Sequence, residues 1–160
     1  MCAWLIETAS VEETEALGAR LGALLRAGDV VLLQGELGAG KTAMARGIAR
    51  GAGSPDLVNS PSFVIVNEYE APARLYHADL YRLTSPDEIA ALDLSGYTRD
   101  GILIVEWPER GEGLLPAEHV RVQIEDTGDD RRRMRFVPYG RRAEEIVAAL
   151  RGLGVGVPHV

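Results

Sequence analysis

Apolar and polar positions change rhythm several times along the chain, and each change marks an element. Trp4 to Glu7 starts β-like, and Ser10-Val11-Glu12-Glu13 carries the S-x-x-E spacing of a capping box, so a helix follows it. Leu17, Leu21, Leu24 and Leu25 then share one face of a 3.6-residue period. Gly28-Asp29 closes that segment ahead of Val30-Val31-Leu32-Leu33, an uninterrupted apolar run of the kind found in a strand buried on both faces. A glycine-rich turn from Gly35 to Gly40 leads into a helix expected from Lys41 to about Gly51, where Gly51 and Gly53 end it.

Downstream, Phe63 to Tyr69 and Leu75 to Tyr81 suit two strands of a hairpin joined around Ala71-Pro72. Ser85-Pro86-Asp87-Glu88 repeats the capping-box spacing with proline at the first helical position, which predicts a short helix through Ile89 and Leu92. Ile102-Leu103-Ile104-Val105 is a second continuous apolar run. Val120 to Ile124 alternates and pairs with Met134 to Val137 across Asp126 to Asp130, Glu144 to Leu150 forms a last helix, and Gly152 to Val160 is a frayed tail. Strands and helices in this order give an α/β fold. The buried strand, glycine-rich turn Gly35 to Gly40 and helix in succession are the order a phosphate site needs, so the sheet is read as a P-loop NTPase-like mixed sheet flanked by helices. At 160 residues the chain supports one core, so residues 1–151 are read as a single domain and 152–160 as its flexible tail.

Composition narrows the function. Hydrophobic residues make up 46% and charged residues 26%, close to the globular average, which excludes a disordered or fibrous chain. The net charge of −7 argues against gripping nucleic acid through bulk electrostatics, so any link to RNA is indirect or confined to a local patch. Cys2 is the single cysteine, which rules out an internal disulfide and a cysteine zinc site and fits a reducing cytoplasm. The N-terminus lacks the basic start of a signal peptide, and no stretch approaches the ~20 apolar residues of a membrane span.

Gly35-Glu36-Leu37-Gly38-Ala39-Gly40-Lys41-Thr42 matches G-x-x-x-x-G-K-[ST] completely, between a predicted strand and a predicted helix. Its glycines let the backbone wrap a phosphate while N–H groups and the helix N-terminus point inward. Lys41 supplies a compact charge to the β- and γ-phosphates, and the Thr42 hydroxyl can ligate Mg²⁺. Lys41 is also the only lysine; every other Lys/Arg position carries arginine. An ammonium rather than a guanidinium fork therefore sits where the loop calls for one. Magnesium needs a carboxylate too, at the end of a neighbouring strand. Glu106 directly follows the Ile102–Val105 run, and Asp79 ends a less uniform segment; each is otherwise a solvated acid at a strand end. Trp107 reads as core or lid packing rather than a base-stacking residue, and His77 as a structural histidine.

The phosphate loop, Ser60-Pro61-Ser62-Phe63, Tyr76-His77-Ala78-Asp79-Leu80-Tyr81-Arg82-Leu83, Glu106-Trp107-Pro108-Glu109-Arg110 and Leu115-Pro116, taken together, resemble the TsaE (YjeE) family. These are bacterial P-loop ATPases required for making threonylcarbamoyladenosine in tRNA. The resemblance runs from about Ser10 to Gly140. It implies ATP and Mg²⁺ as cofactors, Thr42 and Glu106 as the Mg²⁺ ligands, Lys41 and Asp79 as groups needed for hydrolysis, and Ser60 to Phe63 as a switch-like loop. There Ser62 replaces the family's usual threonine, keeping a hydroxyl and losing a methyl. Arg132 falls where the family carries an arginine near the nucleotide, although Arg131, Arg133 and Arg135 crowd the match and a solvated basic strand face is an equal reading. The implied partners are TsaD-like and TsaB-like proteins, with TsaD carrying out the transfer and tRNA met only indirectly. Two rival readings stay open: a small-molecule kinase with the arginines as a lid, and a nucleotide-dependent interaction module without productive hydrolysis.

Overall fold

A computed structural model describes residues 3–36, 38–55 and 66–153. The elements run β1 (Trp4–Thr8), α1 (Val11–Leu24), β2 (Val30–Gln34), α2 (Lys41–Gly51), β3 (Val66–Tyr69), β4 (Arg74–Asp79), α3 (Pro86–Ala91), β5 (Gly101–Glu106), β6 (His119–Gly128), β7 (Arg131–Tyr139) and α4 (Arg141–Leu153). Two 3₁₀ turns, Leu94–Arg99 and Pro108–Gly111, flank β5. All seven strands join one sheet in the order β1-β7-β6-β2-β5-β4-β3. The four central strands β6, β2, β5 and β4 are parallel, whereas β1, β7 and β3 pair antiparallel at the margins.

Strand alternation splits the interior in two. Val31, Leu33, Leu75, Ile102, Ile104, Val120 and Val122 point to the face covered by α1, α2 and α4, where Trp4, Ile6, Met134 and Phe136 complete the core. Val30, Leu32, Tyr76, Ala78, Leu103 and Val105 point the other way and pack under Leu80, Ile89 and Leu94. This two-sided burial is why the β2 and β5 runs read as unbroken apolar stretches.

Of the two predicted capping boxes one forms in full and the other by half, the Glu13 carboxylate accepting from the Ala9 backbone N–H instead of that of Ser10. Ser10 accepts from the Glu13 backbone N–H, and Ser85 with Glu88 makes the full reciprocal box. Several boundaries differ from those the sequence predicts. β4 ends at Asp79: the Leu80 N–H makes the last ladder bond, to the Glu106 carbonyl, and the Leu83 N–H then closes a turn onto the Leu80 carbonyl. β6 and β7 are longer than their apolar cores, since ion pairs such as Arg133–Glu125 and Arg132–Asp126 extend the ribbon beyond Ile124 and Met134. Helix α4 continues to Leu153, past the expected end at Leu150. Leu37 and the Ser60-Pro61-Ser62-Phe63 segment lie outside the described residues, as does the start of the strand expected from Phe63.

One packing feature was not anticipated. Gly18 and Gly22 of α1 and Gly47 and Gly51 of α2 face the partner helix so closely that a Cβ on them would lie 2.6, 2.1, 2.1 and 1.9 Å from the carbonyl oxygens of Met44, Ile48, Glu15 and Ala19. The two backbones are in contact, which fixes α2, and with it the loop it grows from, against α1.

Candidate functional site

The site assembles where the parallel strands end. β2 stops at Gln34, the loop crosses over the sheet, and α2 begins at Lys41. Gly38 and Gly40 adopt φ of +78° and +111°, left-handed conformations that side-chain-bearing residues resist. Gly40 is doubly constrained, because a Cβ there would stand 3.1 Å from Nε of Arg132. Arg132 reaches the loop from β7: Nη2 donates to the Gly38 carbonyl at 3.3 Å, while Nη1 donates to Asp126 at 3.1 Å. Period-two alternation sends Arg131, Arg133 and Arg135 away from it, and all three are exposed. The structure thus separates one loop-contacting arginine from an exposed basic row.

Lys41 is buried, with 5% of its surface exposed. Its ammonium donates to the Gly35 carbonyl and lies 3.6 Å from the centre of the Trp107 ring. Burial lowers its pKa, opposed by the carboxylates of Glu106, Glu109, Asp79 and Glu36. Trp107 gets there through a left-handed turn (φ +58°) at the end of β5, a conformation that costs a bulky residue about 1–2 kcal/mol. Tyr81 packs against Trp107 in a tilted arrangement, 4.8 Å between ring centres and 49° between planes, and Arg110 lies over Tyr81 at 5.3 Å. Of the core and lid packing that the sequence left open for Trp107, its ring takes the place over the loop lysine.

The two candidate acids stand side by side. Asp79 and Glu106 are register partners at the ends of β4 and β5, on the same sheet face as α2. Glu106 is 2% exposed, and its Oε2 lies 2.6 Å from Nε2 of His77, itself fully buried. Asp79 is partly buried, accepts from the Tyr81 backbone N–H at 2.9 Å, and has its pKa raised, mainly by burial and further by the neighbouring Glu106. His77, read from sequence as a structural histidine, is fully buried and also contacts one of the two candidate acids. The signal lay in the spacing: two residues before Asp79 on a strand means the same face.

Among the described residues no group of three or more His, Cys, Asp and Glu could by itself hold a metal ion. Mg²⁺ in a nucleotide site is commonly held by one or two carboxylates, with phosphate oxygens and waters completing the coordination. Glu106, Asp79 and the half-buried Thr42 hydroxyl are oxygen donors of the right hardness. A cavity of about 520 Å³ borders Gly35, Glu36 and Ala39 but opens mainly on the sheet face opposite α2, where Gln34, Gln123, Arg133 and Arg135 line it. No helix among the described residues is long and apolar enough to cross a membrane.

Comparison with known proteins agrees with this geometry. The family model for threonylcarbamoyl adenosine biosynthesis protein TsaE matches residues 8–134. The tRNA threonylcarbamoyladenosine biosynthesis protein TsaE of Bacillus subtilis (strain 168) is 39% identical over 144 residues, covering 89% of this chain and 90% of that protein. Its counterpart from Streptomyces coelicolor is 42% identical over 135 residues, covering 79% and 90%. The crystal structure of Bacillus subtilis YdiB superposes with a TM-score of 0.81 at 34% identity, covering 96% of this chain and 97% of that one. With an intact phosphate loop, paired strand-end acids and matches of this extent, the chain belongs to the TsaE family.

Proposed function

We propose that this protein binds ATP with Mg²⁺ and hydrolyses it as the accessory ATPase of threonylcarbamoyladenosine formation in tRNA, acting in the cytoplasm with TsaD-like and TsaB-like partners. The observation that carries the proposal is the convergence of Lys41, Asp79 and Glu106 on one sheet face beside the glycine loop. Loop N–H groups and the N-terminus of α2 would hold the phosphates, and the Lys41 ammonium would move from the Gly35 carbonyl onto the β- and γ-phosphate oxygens. Thr42 and Glu106 would hold the Mg²⁺. Bound there, the ion neutralises charge developing on the transferred phosphoryl group. Asp79, displaced upward in pKa and directly beside Glu106, is suited to orient the attacking water and accept its proton. Arg132, already anchored to the loop, adds a cation near the phosphates.

ATP hydrolysis by the purified protein, measured alone and with the cognate partner pair, tests this. Slow turnover alone and strong stimulation by the partners is the expected result. Phosphoryl transfer to a metabolite, or binding with no partner-stimulated hydrolysis, refutes it. Glu106→Ala should chiefly weaken Mg²⁺-dependent binding and Asp79→Ala chiefly turnover; a Mg²⁺ dependence shifted by Asp79→Ala and not by Glu106→Ala reverses the two roles.

A further inference from the structure

The buried contact between His77 and Glu106 has more chemistry in it than packing requires. β4 and β5 run parallel with Asp79 opposite Glu106 and His77 opposite Ile104, so the imidazole lies one diagonal step from the Glu106 side chain on the same face. Nε2 of His77 is 2.6 Å from Oε2 of Glu106, and Nδ1 is buried without a hydrogen-bond partner among the described residues. Two tautomers must be weighed. A proton on Nδ1 would bury an unsatisfied donor and set a bare Nε2 lone pair against a carboxylate lone pair. A proton on Nε2 turns the contact into a charge-assisted hydrogen bond and leaves only an unused acceptor at Nδ1. The geometry favours the second. The other oxygen, Oε1, takes no part in this bond, and Glu106 lies within electrostatic reach of Lys41, the neighbour of Thr42 at the start of α2.

We infer that His77 is a positioning residue for metal binding: by donating from Nε2 to one oxygen of Glu106 it fixes the carboxylate so that the other oxygen is presented to the Mg²⁺ of the bound nucleotide. This rests on the reading of Glu106 as a Mg²⁺ ligand. It needs no contact between His77 and the nucleotide, from which it is screened by its complete burial under the sheet face. Loss of such an outer partner typically weakens metal affinity about 10–100-fold.

The test is the Mg²⁺ concentration that half-saturates binding of a non-hydrolysable ATP analogue, together with binding of the same analogue in chelator. His77→Leu fills the volume without a donor and should raise the half-saturating Mg²⁺ about tenfold while leaving Mg²⁺-free binding within about twofold. His77→Gln places an amide N–H where Nε2 stands and should restore a wild-type Mg²⁺ dependence. His77→Asn, too short to reach Oε2, is measured in case the leucine variant fails to fold and should behave as predicted for it. Equal Mg²⁺ dependence in the Gln and Asn variants overturns the inference, and so does a loss of Mg²⁺-free binding as large as the loss with Mg²⁺. Glu106→Gln separates the two levels: if it shifts the Mg²⁺ dependence and none of the His77 variants does, the positioning role fails and the ligand assignment stands. No shift in Glu106→Gln removes the assignment itself and the inference with it.

Discussion

Adding one methyl group between α1 and α2 measures how tightly the fold holds the phosphate loop. In Gly47→Ala the new Cβ would begin 2.1 Å from the Glu15 carbonyl oxygen, 2.9 Å from its carbon and 3.0 Å from its Cα. All three atoms are backbone, so no side chain can swing aside. Since Cβ atoms essentially never come within 3.0 Å of another heavy atom, the helices must part by about 0.9 Å. Overpacking of this sort costs about 1–3 kcal/mol. Alanine's better helix propensity offsets up to ~1 kcal/mol of that. The interface is also interlocked, because separating the helices at Gly47 loosens the contacts at Gly18, Gly22 and Gly51. A net loss of about 2 kcal/mol is therefore expected, which for a chain of this size lowers Tm by roughly 4–8 °C. Gly152→Ala is the control: nothing lies within 4 Å of its added Cβ, and it should gain about 0.5–1 kcal/mol from propensity alone. Urea unfolding of both variants provides the comparison. A Gly47→Ala protein as stable as the parent would refute the claim that the two backbones are in contact.

Three further outcomes follow from the site. Lys41→Ala should abolish partner-stimulated hydrolysis and weaken ATP binding, and Lys41→Arg should not restore it, because a buried ammonium under Trp107 leaves no room for a guanidinium fork; normal turnover in Lys41→Ala would sink the loop assignment. Asp79→Asn should lose turnover yet stabilise the nucleotide-free protein at neutral pH. The folded-state pKa of Asp79 is raised, so its ionised form costs stability above that value, and the cost fades as pH falls towards the ordinary aspartate value; thermal unfolding from pH 7 down to about 3.5 should show the variant's advantage shrinking in that window. The isolated protein should bind tRNA weakly and with a shallow salt dependence, because Arg132, Arg133 and Arg142 already pair with Asp126, with Glu125 and Glu7, and with Asp29; saturable submicromolar binding near physiological salt would overturn this.

Much of this protein was legible without coordinates, and for a physical reason: the legible parts depend on local order. The N-cap at Ser10 and the capping box at Ser85 involve residues three apart. The β2 and β5 runs report their own double-sided burial, and G-x-x-x-x-G-K-T is chemistry carried by consecutive residues. Tertiary structure decided what depends on residues distant in the chain. Asp79 and Glu106 become neighbours only because β4 and β5 pair in parallel with that register, and the same register carries His77 to Glu106. Which arginine of the 131–135 cluster meets the loop turned on the pairing of β7 with β6 and β1, and Arg132 was chosen by the face it occupies. Trp107 could be read as core or as lid packing until the left-handed turn after β5 laid its ring over Lys41. The four glycines of α1 and α2 look like weak helix formers in isolation. Their reason appears only when two helices, separated in sequence by β2 and the loop, approach until a methyl group no longer fits.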